Sequence, residues 1–446
     1  MTVASTAAAH TLADAYRRNR ARSRALFDLL SEEAYYSRPI DLRHPVVFYE
    51  GHLPAFSFNT LVKRALGGPV IDPYLERLFA RGIDPPSPKN GYGVTSPPSP
   101  ENGYGETSPP SPENGYGADA WPERAVVQAF ADEADRRVLD ALMNTDLDRP
   151  GHALLDRAEA AHAILEHEAM HQETLLYMWH RLPHHQKRRP SGYVPRTAGA
   201  PPSAEWIGIP SGIATLGVDR ASLAFGWDNE FPAHRVGVDA FAIEEHDVTN
   251  ARFLEFVEAG GTPPAFWERR DGEWYWRGMF EWIPLPLAWP VYVSHAEACA
   301  FARWRGARLP TEAEFQRAAF GTPDGDERSY PWGDAEPGPH HGVFDFSAWD
   351  PEPAGSRPTG RSAFGVHDLV GNGWEWTSTP FAPFPGFRPM ASYPEYSADF
   401  FDGGHYVMKG ASPATARELL RPSFRNWFRP HYPYVYATFR LAKDVA

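Results

Sequence analysis

The sequence predicts an α+β protein of two domains, with a four-helix bundle at the N-terminus and a domain rich in irregular loops at the C-terminus. The chain has 446 residues, which is too many for one ordinary hydrophobic core. Up to residue 181, apolar side chains recur at helical spacing. Proline and glycine (45 and 37 residues in the whole chain) concentrate after residue 200, as is typical of short elements joined by loops.

The N-terminal part contains segments with the helical period and charged residues between the apolar positions. They are residues 11–35, residues 50–82 (interrupted near a Gly-Gly-Pro), residues 122–143 and residues 150–181. Pro122 suits the start of the third helix, where the missing amide hydrogen has no partner to lose. Four amphipathic helices bury their apolar faces against one another, which predicts an antiparallel bundle over residues 1–187.

A segment rich in proline, glycine and tyrosine, residues 84–120, is predicted to be an insertion in this bundle. The unit NGYG begins at Asn90, Asn102 and Asn114, so it repeats every twelve residues. Three short copies are too few for a solenoid, and the composition favours an extended surface segment. The alternative is that a repeat tyrosine folds over an active site.

Residues 188–205 are predicted to be a linker, and residues 206–446 the second domain. There, short apolar stretches alternate with turn residues, a pattern that indicates short strands. Residues 250–261 and 294–321 have the helical period, and Thr311 is in the position of a helix N-cap.

Composition narrows the class of protein. The formal charge of −14 argues against nucleic acid as a partner, because phosphate binding requires clustered lysine and arginine. The N-terminus has no basic segment followed by an apolar core, and no apolar run reaches the length of a membrane span. The chain has one cysteine, Cys299, so no intrachain disulfide forms. These features predict a cytoplasmic protein without membrane contact.

The segment HEAMHQET, residues 167–174, contains the pattern H-E-x-x-H. On a helix, His167 and His171 lie one turn apart on one face and can bind one ion together. A zinc protease would use Glu168 as its base and needs a third ligand, and no metzincin-type ligand follows in this chain. His52, in the apolar segment FYEGHLPAF, is the better third ligand, and a packed core histidine is the alternative. Imidazole binds zinc, copper, iron and nickel, so the ligand type does not identify the metal.

Several segments resemble a known family. GHLPAF and HEAMHQE are similar to the DinB-like helical domain of the sulfoxide synthases of ergothioneine biosynthesis. The C-terminal half resembles the formylglycine-generating-enzyme-like domain, of C-type-lectin-like fold, that is fused to it in that family. The similarity rests on RLPTEAE, YPWGD, GNGWEWT and the segment from FRNWFRP to FRLAK. Together with the helical domain, these segments cover most of the chain outside the repeat.

The resemblance implies an enzyme with a mononuclear non-haem Fe(II) bound by His52, His167 and His171. It also implies O2 and hercynine (Nα-trimethylhistidine) as substrates, with a thiol sulfur coupled to C2 of the hercynine imidazole to give a sulfoxide. Three neutral ligands leave coordination positions for the substrates. Formylglycine generation is not expected, because those enzymes use paired cysteines and this chain has one.

The resemblance further suggests residues that contact the substrates. Asn426 and Trp427 match a pair that approaches the substrates in the family. Phe428 and Arg429 follow, where members that use γ-glutamylcysteine commonly have aspartate after the pair, and Met170 stands where relatives often have glutamine.

Tyr393 and Tyr396, in the loop FPGFRPMASYPEYSADFF, are candidates for the catalytic tyrosine that some members have. The residues at these substrate positions resemble those of the family branch that makes selenoneine, in which a selenosugar replaces the thiol. A DinB-type metal-dependent thiol transferase, a zinc metalloprotease and a non-catalytic binding protein remain as alternative functions.

Overall fold

The computed structural model describes residues 3–80 and 121–445. The predicted repeat insertion, residues 84–120, lies outside these ranges, so its expected conformation stays a prediction. The chain divides into two compact units. The first contains Met1–Glu168 and Arg181–Arg188, and the second contains Ala169–His180 and Arg189–Ala446.

The first unit is helical. Its helices are α1 (Val3–Phe27), α2 (Val46–Ser57), α3 (Pro73–Leu78), α4 (Arg124–Asn144) and the beginning of α5 (Glu159–Arg181). A π-helix, Phe58–Ala65, continues α2. Helix α4 packs against both α1 and α2. The four long helices that the apolar spacing predicts are therefore present.

Several of the predicted helix boundaries are wrong, and two of them have a local structural cause. Helix α1 ends at Phe27, because the following chain turns and Leu30 forms an antiparallel bridge with Lys187. Helix α5 begins at Glu159, although its apolar pattern predicts a start at residue 150. The backbone at Arg157 has φ of 57°, a left-handed conformation that a right-handed helix cannot contain.

The second unit contains short strands connected by long loops, as expected. The strands are β1 (Trp206–Ile209), β2 (Gly212–Leu216), β3 (His234–Val238), β4 (Phe241–Glu244), β5 (Trp267–Arg270), β6 (Glu273–Arg277), β7 (Trp282–Pro284), β8 (Gly373–Pro380), β9 (Tyr406–Ala411), β10 (Asn426–Phe428), β11 (Ala437–Thr438) and β12 (Ala442–Asp444). They form sheets in the orders β1-β4-β12, β10-β9-β8-β11, β2-β3 and β5-β6-β7. Neighbouring strands are antiparallel, except that β8 and β11 are parallel.

The second unit also contains helices. They are α6 (Asn250–Glu258), α7 (His295–Trp304), α8 (Glu312–Phe320) and the short α9 (Glu395–Ala398). Thr311 caps α8 as predicted: its hydroxyl accepts from the Glu314 amide at 3.1 Å, and the Glu314 carboxylate accepts from the Thr311 amide at 2.7 Å. The α+β class predicted from the sequence is confirmed.

The core of the second unit combines indole rings with one buried charge cluster. Trp227, Trp276, Trp289, Trp374 and Trp376 are fully buried. In the same unit, the fully buried guanidinium of Arg440 pairs with Asp247 and Glu375 at 3.1 and 2.7 Å. Large rings bury much apolar area from few residues, so they can hold loops in place where regular elements are short. Across residues 3–80 and 121–445, no helix combines the length and apolar character needed to span a membrane.

Candidate metal centre

Helix α2 places His52 in an apolar interior, where the imidazole is 1% exposed. Its Nδ1 lies 2.8 Å from the carbonyl oxygen of Phe79. A carbonyl oxygen can only accept, so Nδ1 carries the hydrogen and Nε2 carries the lone pair that a metal requires. Burial lowers the pKa of His52 to about 4, although the hydrogen bond to Phe79 opposes this shift. The imidazole is therefore neutral at pH 7, which is the form that binds metals.

Helix α5 carries His167 and His171 one turn apart, as the spacing predicts. The ring of Phe56 stacks on His167 with centroids 3.5 Å apart and planes 8° apart. The rings of His52 and His167 approach to 5.2 Å between centroids at 65°. The aromatic residues of α2 thus fix the plane of one imidazole and bring a second beside it.

The three predicted ligands lie together. One ring nitrogen from each of His52, His167 and His171 lies within 4.8 Å of the other two. Donors that are each about 2.1 Å from one ion lie about 3 to 4.2 Å apart, so the three nitrogens are near the spacing that a shared ion requires. The donor set consists of three imidazoles, which suits zinc, copper, iron or nickel.

Glu168, the glutamate of the H-E-x-x-H pattern, binds residues outside the histidine cluster. Its carboxylate is fully buried and accepts from Arg20 Nη1 at 2.8 Å and from the Ser23 hydroxyl at 2.6 Å. Arg20 also binds Asp135 at 2.8 Å, so Glu168 belongs to a buried ion-pair cluster. Burial raises the pKa of Glu168, and the Arg20 charge acts in the opposite direction. This arrangement does not support a role for Glu168 as the base of a zinc protease.

Met170, the residue before His171, contacts the predicted catalytic loop. The hydroxyl of Tyr396 lies 3.2 Å from the sulfur of Met170. The Tyr396 ring stacks on Trp227 at 4.0 Å and 24°, and it meets Trp427 edge-on at 5.3 Å and 80°. The ring of Tyr393 lies 5.8 Å from that of Tyr396. The fold therefore gathers Met170, Tyr396 and Trp427, and it adds Trp227, which sequence reasoning missed.

Strand β10 directs its aromatic residues to two sides, because successive side chains of a strand alternate. Trp427 stacks on Phe381 with centroids 4.1 Å apart and planes 6° apart. Phe428 instead stacks on Tyr432 at 5.0 Å and meets Tyr177 of α5 edge-on at 6.3 Å. Of these two aromatic residues, only Trp427 is in contact with Tyr396 through a ring interaction within the described part of the chain.

The polar residues on either side of Trp427 and Phe428 make other contacts. Asn426 uses its side-chain oxygen to accept from the amide of Trp427 at 2.9 Å, a local contact that braces the strand. The guanidinium of Arg429 is 62% exposed and lies 3.7 Å from the carboxylate of Asp402. The roles of Asn426, Phe428 and Arg429 in substrate binding stay predictions.

Glu173 is a buried carboxylate on α5 that sequence reasoning did not single out. It accepts from the indole nitrogen of Trp374 at 2.8 Å and from the hydroxyls of Ser412 and Thr415 at 2.6 and 2.9 Å. Burial raises its pKa, and the three donors lower it in part. The signal in the sequence was a carboxylate two residues after His171, on a helix whose neighbours are apolar. Its bonds fix the half of α5 that carries His171.

Comparisons with known proteins match both parts of the chain. Residues 15–175 match the DinB superfamily, and residues 193–445 match the sulfatase-modifying factor enzyme 1-like domain. A hercynine oxygenase of Mycolicibacterium smegmatis is 37% identical over 344 residues, which cover 71% of this chain and 78% of that protein. A hercynine oxygenase of Mycolicibacterium thermoresistibile is 43% identical over 255 residues, 52% of this chain and 56% of that protein.

A fungal relative matches over nearly the whole chain. Ergothioneine biosynthesis protein 1 of Neurospora crassa is 27% identical over 513 aligned residues, which cover 94% of this chain and 56% of the fungal protein. The match to the sulfatase-modifying factor domain alone extends over more than half of the chain. The chain therefore belongs to the ergothioneine-biosynthesis family that joins a DinB-superfamily domain to a sulfatase-modifying factor enzyme 1-like domain and includes the hercynine oxygenases.

Proposed function

We propose that this protein is a non-haem Fe(II) enzyme that uses O2 to couple a sulfur or selenium donor to C2 of the hercynine imidazole, in ergothioneine or selenoneine biosynthesis. One observation carries the proposal: His52, His167 and His171 converge in a chain whose relatives are named for hercynine oxygenation. With a thiol donor, hercynine, the thiol and O2 would give the sulfoxide and one water molecule.

The histidine cluster fits ferrous iron by the chemistry of its donors. Three neutral imidazoles satisfy part of the coordination shell and leave the remaining positions for small molecules. Iron bound there would supply O2 activation and would favour the anionic form of the thiol or selenol donor. His52 is prepared for this role, because its bond to Phe79 directs the lone pair to Nε2.

The aromatic residues near Met170 suit a substrate that carries a fixed positive charge. Hercynine has a trimethylammonium group, which has no hydrogen to donate and which aromatic faces stabilise. Trp227, Tyr396 and Trp427 supply such faces within one cluster. We assign this cluster to the trimethylammonium group, with Met170 between the cluster and the helix turn of His171.

Tyr396 is the stronger candidate for proton transfer of the two predicted tyrosines. Its hydroxyl contacts the side chain that precedes a predicted metal ligand, so it can reach a substrate held beside that ligand. A phenol can donate a proton to negative charge that develops on the reacting oxygen, and its ring is held in place by Trp227.

A metal-dependent thiol transferase is the second candidate function, favoured by the match to the DinB superfamily together with the histidine cluster. Such an enzyme would transfer a thiol without consuming O2. Oxygen uptake therefore separates the two functions.

The first prediction tests the proposal by product formation. Metal-free protein, reconstituted with Fe(II) and supplied with hercynine and O2, is expected to consume O2 only when a donor is present. Cysteine, γ-glutamylcysteine and a selenosugar compete in one reaction, and mass spectrometry identifies the product at C2. The iron content of the His52→Ala variant should be at least about tenfold lower than that of the unmutated protein, because one of three protein ligands is removed.

The exposed residue His185 provides the matched control. His185→Ala removes an imidazole outside the cluster and should retain iron and activity. The proposal would be overturned by an O2-independent thiol adduct, or by full iron content in His52→Ala with an unchanged circular dichroism spectrum.

A further inference from the structure

The second unit contains another group of metal-type ligands, formed by Glu245, His246 and His367. One donor atom from each residue lies within 4.8 Å of the other two. Glu245 and His246 follow strand β4, and His367 lies in the loop before strand β8. The cluster therefore connects two segments that are more than 100 residues apart in sequence.

The distances within the cluster are those between ligands of one ion. Nδ1 of His246 is 3.8 Å from one carboxylate oxygen of Glu245, and Nε2 of His367 is 3.7 Å from the other. Both separations are too long for a hydrogen bond. They fall between about 3 and 4.2 Å, the range for two donors that are each about 2.1 Å from a shared ion. Both imidazoles therefore lie at ligand spacing from the carboxylate of Glu245.

Local packing determines which nitrogen of His246 faces the cluster. The opposite nitrogen, Nε2, lies against Gly355, where a β-carbon would come within 2.7 Å of it. Nδ1 is buried and has no hydrogen-bond partner among the described residues. The rings of His246 and His367 stack with centroids 4.8 Å apart and planes 20° apart, so both imidazoles are held side by side.

The backbone that carries these ligands is fixed by Arg440. Its guanidinium donates to the carbonyl oxygens of Glu245 at 3.1 Å and of His367 at 2.8 Å. The positive charge of Arg440 would repel a cation, but the buried carboxylates of Asp247 and Glu375 pair with it and offset it. The amide of His367 also donates to the carbonyl of Glu245 at 2.9 Å, which ties the two ligand segments directly.

We propose that Glu245, His246 and His367 form a second metal site, which binds one Zn²⁺ ion with water as the fourth ligand. Two imidazoles and one carboxylate are a common zinc donor set, and they fit a borderline ion better than calcium or magnesium. The side chain of Glu245 is 29% exposed, which gives the ion a route from solvent. The bound ion would fasten the loop after β4 to the loop before β8.

The second prediction tests this site in the full-length chain. His52→Ala and His171→Ala together remove the other histidine cluster, and the metal-free double variant is titrated with Zn²⁺ against a chromophoric chelator. We expect one equivalent of tightly bound Zn²⁺. Adding Glu245→Gln or His367→Gln should weaken the binding about 100-fold, because a ligand is lost. Co²⁺ in place of Zn²⁺ should give a visible spectrum of nitrogen and oxygen ligation.

Two further measurements keep the result interpretable. His340→Gln, at an exposed histidine of the same unit, should leave Zn²⁺ binding unchanged. Glu245→Gln is nearly isosteric, and circular dichroism reports whether that variant folds. Anomalous X-ray scattering at the zinc edge, measured on zinc-loaded crystals of the double variant, should place the ion between the three side chains. An absent anomalous peak, or Zn²⁺ affinity unchanged by both Glu245→Gln and His367→Gln, would overturn the proposal.

Discussion

At the scale of single residues, Tyr393 and Tyr396 differ in what their side chains contact. The Tyr396 hydroxyl reaches the sulfur of Met170, and its ring lies against two tryptophans. Tyr393 meets Tyr396 through its ring, at 5.8 Å between centroids. A proton donor must reach the reacting atoms with its hydroxyl, and the contact with Met170, the residue before His171, makes Tyr396 the candidate under the proposed function.

The third prediction is that Tyr396→Phe lowers kcat about 100-fold, the usual size of the contribution of a general acid. The phenylalanine ring keeps the stack on Trp227, so iron content and the KM for hercynine should change little. Steady-state O2 uptake and metal analysis of the same preparation provide both measurements.

Tyr393→Phe is the matched control, because it removes the neighbouring hydroxyl from the same loop. That variant should retain most of the activity of the unmutated protein. The reverse result, with Tyr393→Phe inactive and Tyr396→Phe active, would transfer the role to Tyr393.

The spacing of the histidines in the candidate metal centre could be predicted from the sequence, but the partners of Glu168 could not. The spacing of His167 and His171 implies one helix face, so two of the predicted ligands followed from local geometry alone. The same segment suggested a protease because Glu168 follows His167. Its true partners, Arg20 and Ser23, are about 145 residues away in sequence, and no local pattern indicates such a contact.

At the scale of elements, helix α5 is held in place by the buried carboxylate of Glu173. Trp374, Ser412 and Thr415 all donate to it, from segments of the second unit. A buried carboxylate with three donors is stable only as a set, because each donor loses its partner if the acceptor is removed. The half of α5 that begins at Ala169 depends on these bonds.

The fourth prediction is that Glu173→Ala lowers the free energy of unfolding by about 3 kcal/mol, because three buried donors lose their acceptor. The midpoint of thermal unfolding, followed by tryptophan fluorescence, should fall by a few degrees. Iron retention should also weaken, since His171 lies two residues away on the same helix.

Thr174→Ala, at the next residue of the helix, serves as the comparison. Its hydroxyl donates to the carbonyl of Met170 at 3.4 Å, a weak bond whose loss should cost less than about 1 kcal/mol. Equal unfolding midpoints for the two variants would show that the carboxylate does not hold the helix.

Helices and strands were predictable where a local sequence pattern alone determines them. Helical spacing indicated the long helices, and Thr311 indicated the start of α8. The π-helix that follows α2 was missed, because its period differs from the regular one only over Phe58–Ala65. The pairing of β4 with β12 joins strands almost 200 residues apart, and such pairing depends on tertiary packing rather than on local sequence.

At the scale of the whole molecule, both units keep histidines buried and neutral. Burial lowers the pKa of His52 to about 4 in the first unit, and of His246 and His295 to about 4 in the second. The unfolded chain binds a proton at each of these imidazoles near pH 6.5, and the folded chain does so only near pH 4. Between these pH values the unfolded state binds more protons, so stability is present above about pH 6.5 and falls as the pH decreases towards 4.

The fifth prediction concerns this pH dependence in metal-free protein. His52 is fully buried, and the shift from 6.5 to about 4 corresponds to about 3 kcal/mol of unfolding free energy lost over that window. Chemical unfolding in the presence of a chelator, at intervals between pH 7 and pH 4.5, measures the loss.

Carboxylates and the other histidines also titrate, so the diagnostic quantity is the difference between variants. His52→Gln should show a shallower decrease than the unmutated protein, whereas His185→Gln, at an exposed site, should follow it closely. Parallel curves for His52→Gln and the unmutated protein would mean that His52 ionises normally in the fold, and the neutral imidazole required at the metal centre would lose its support.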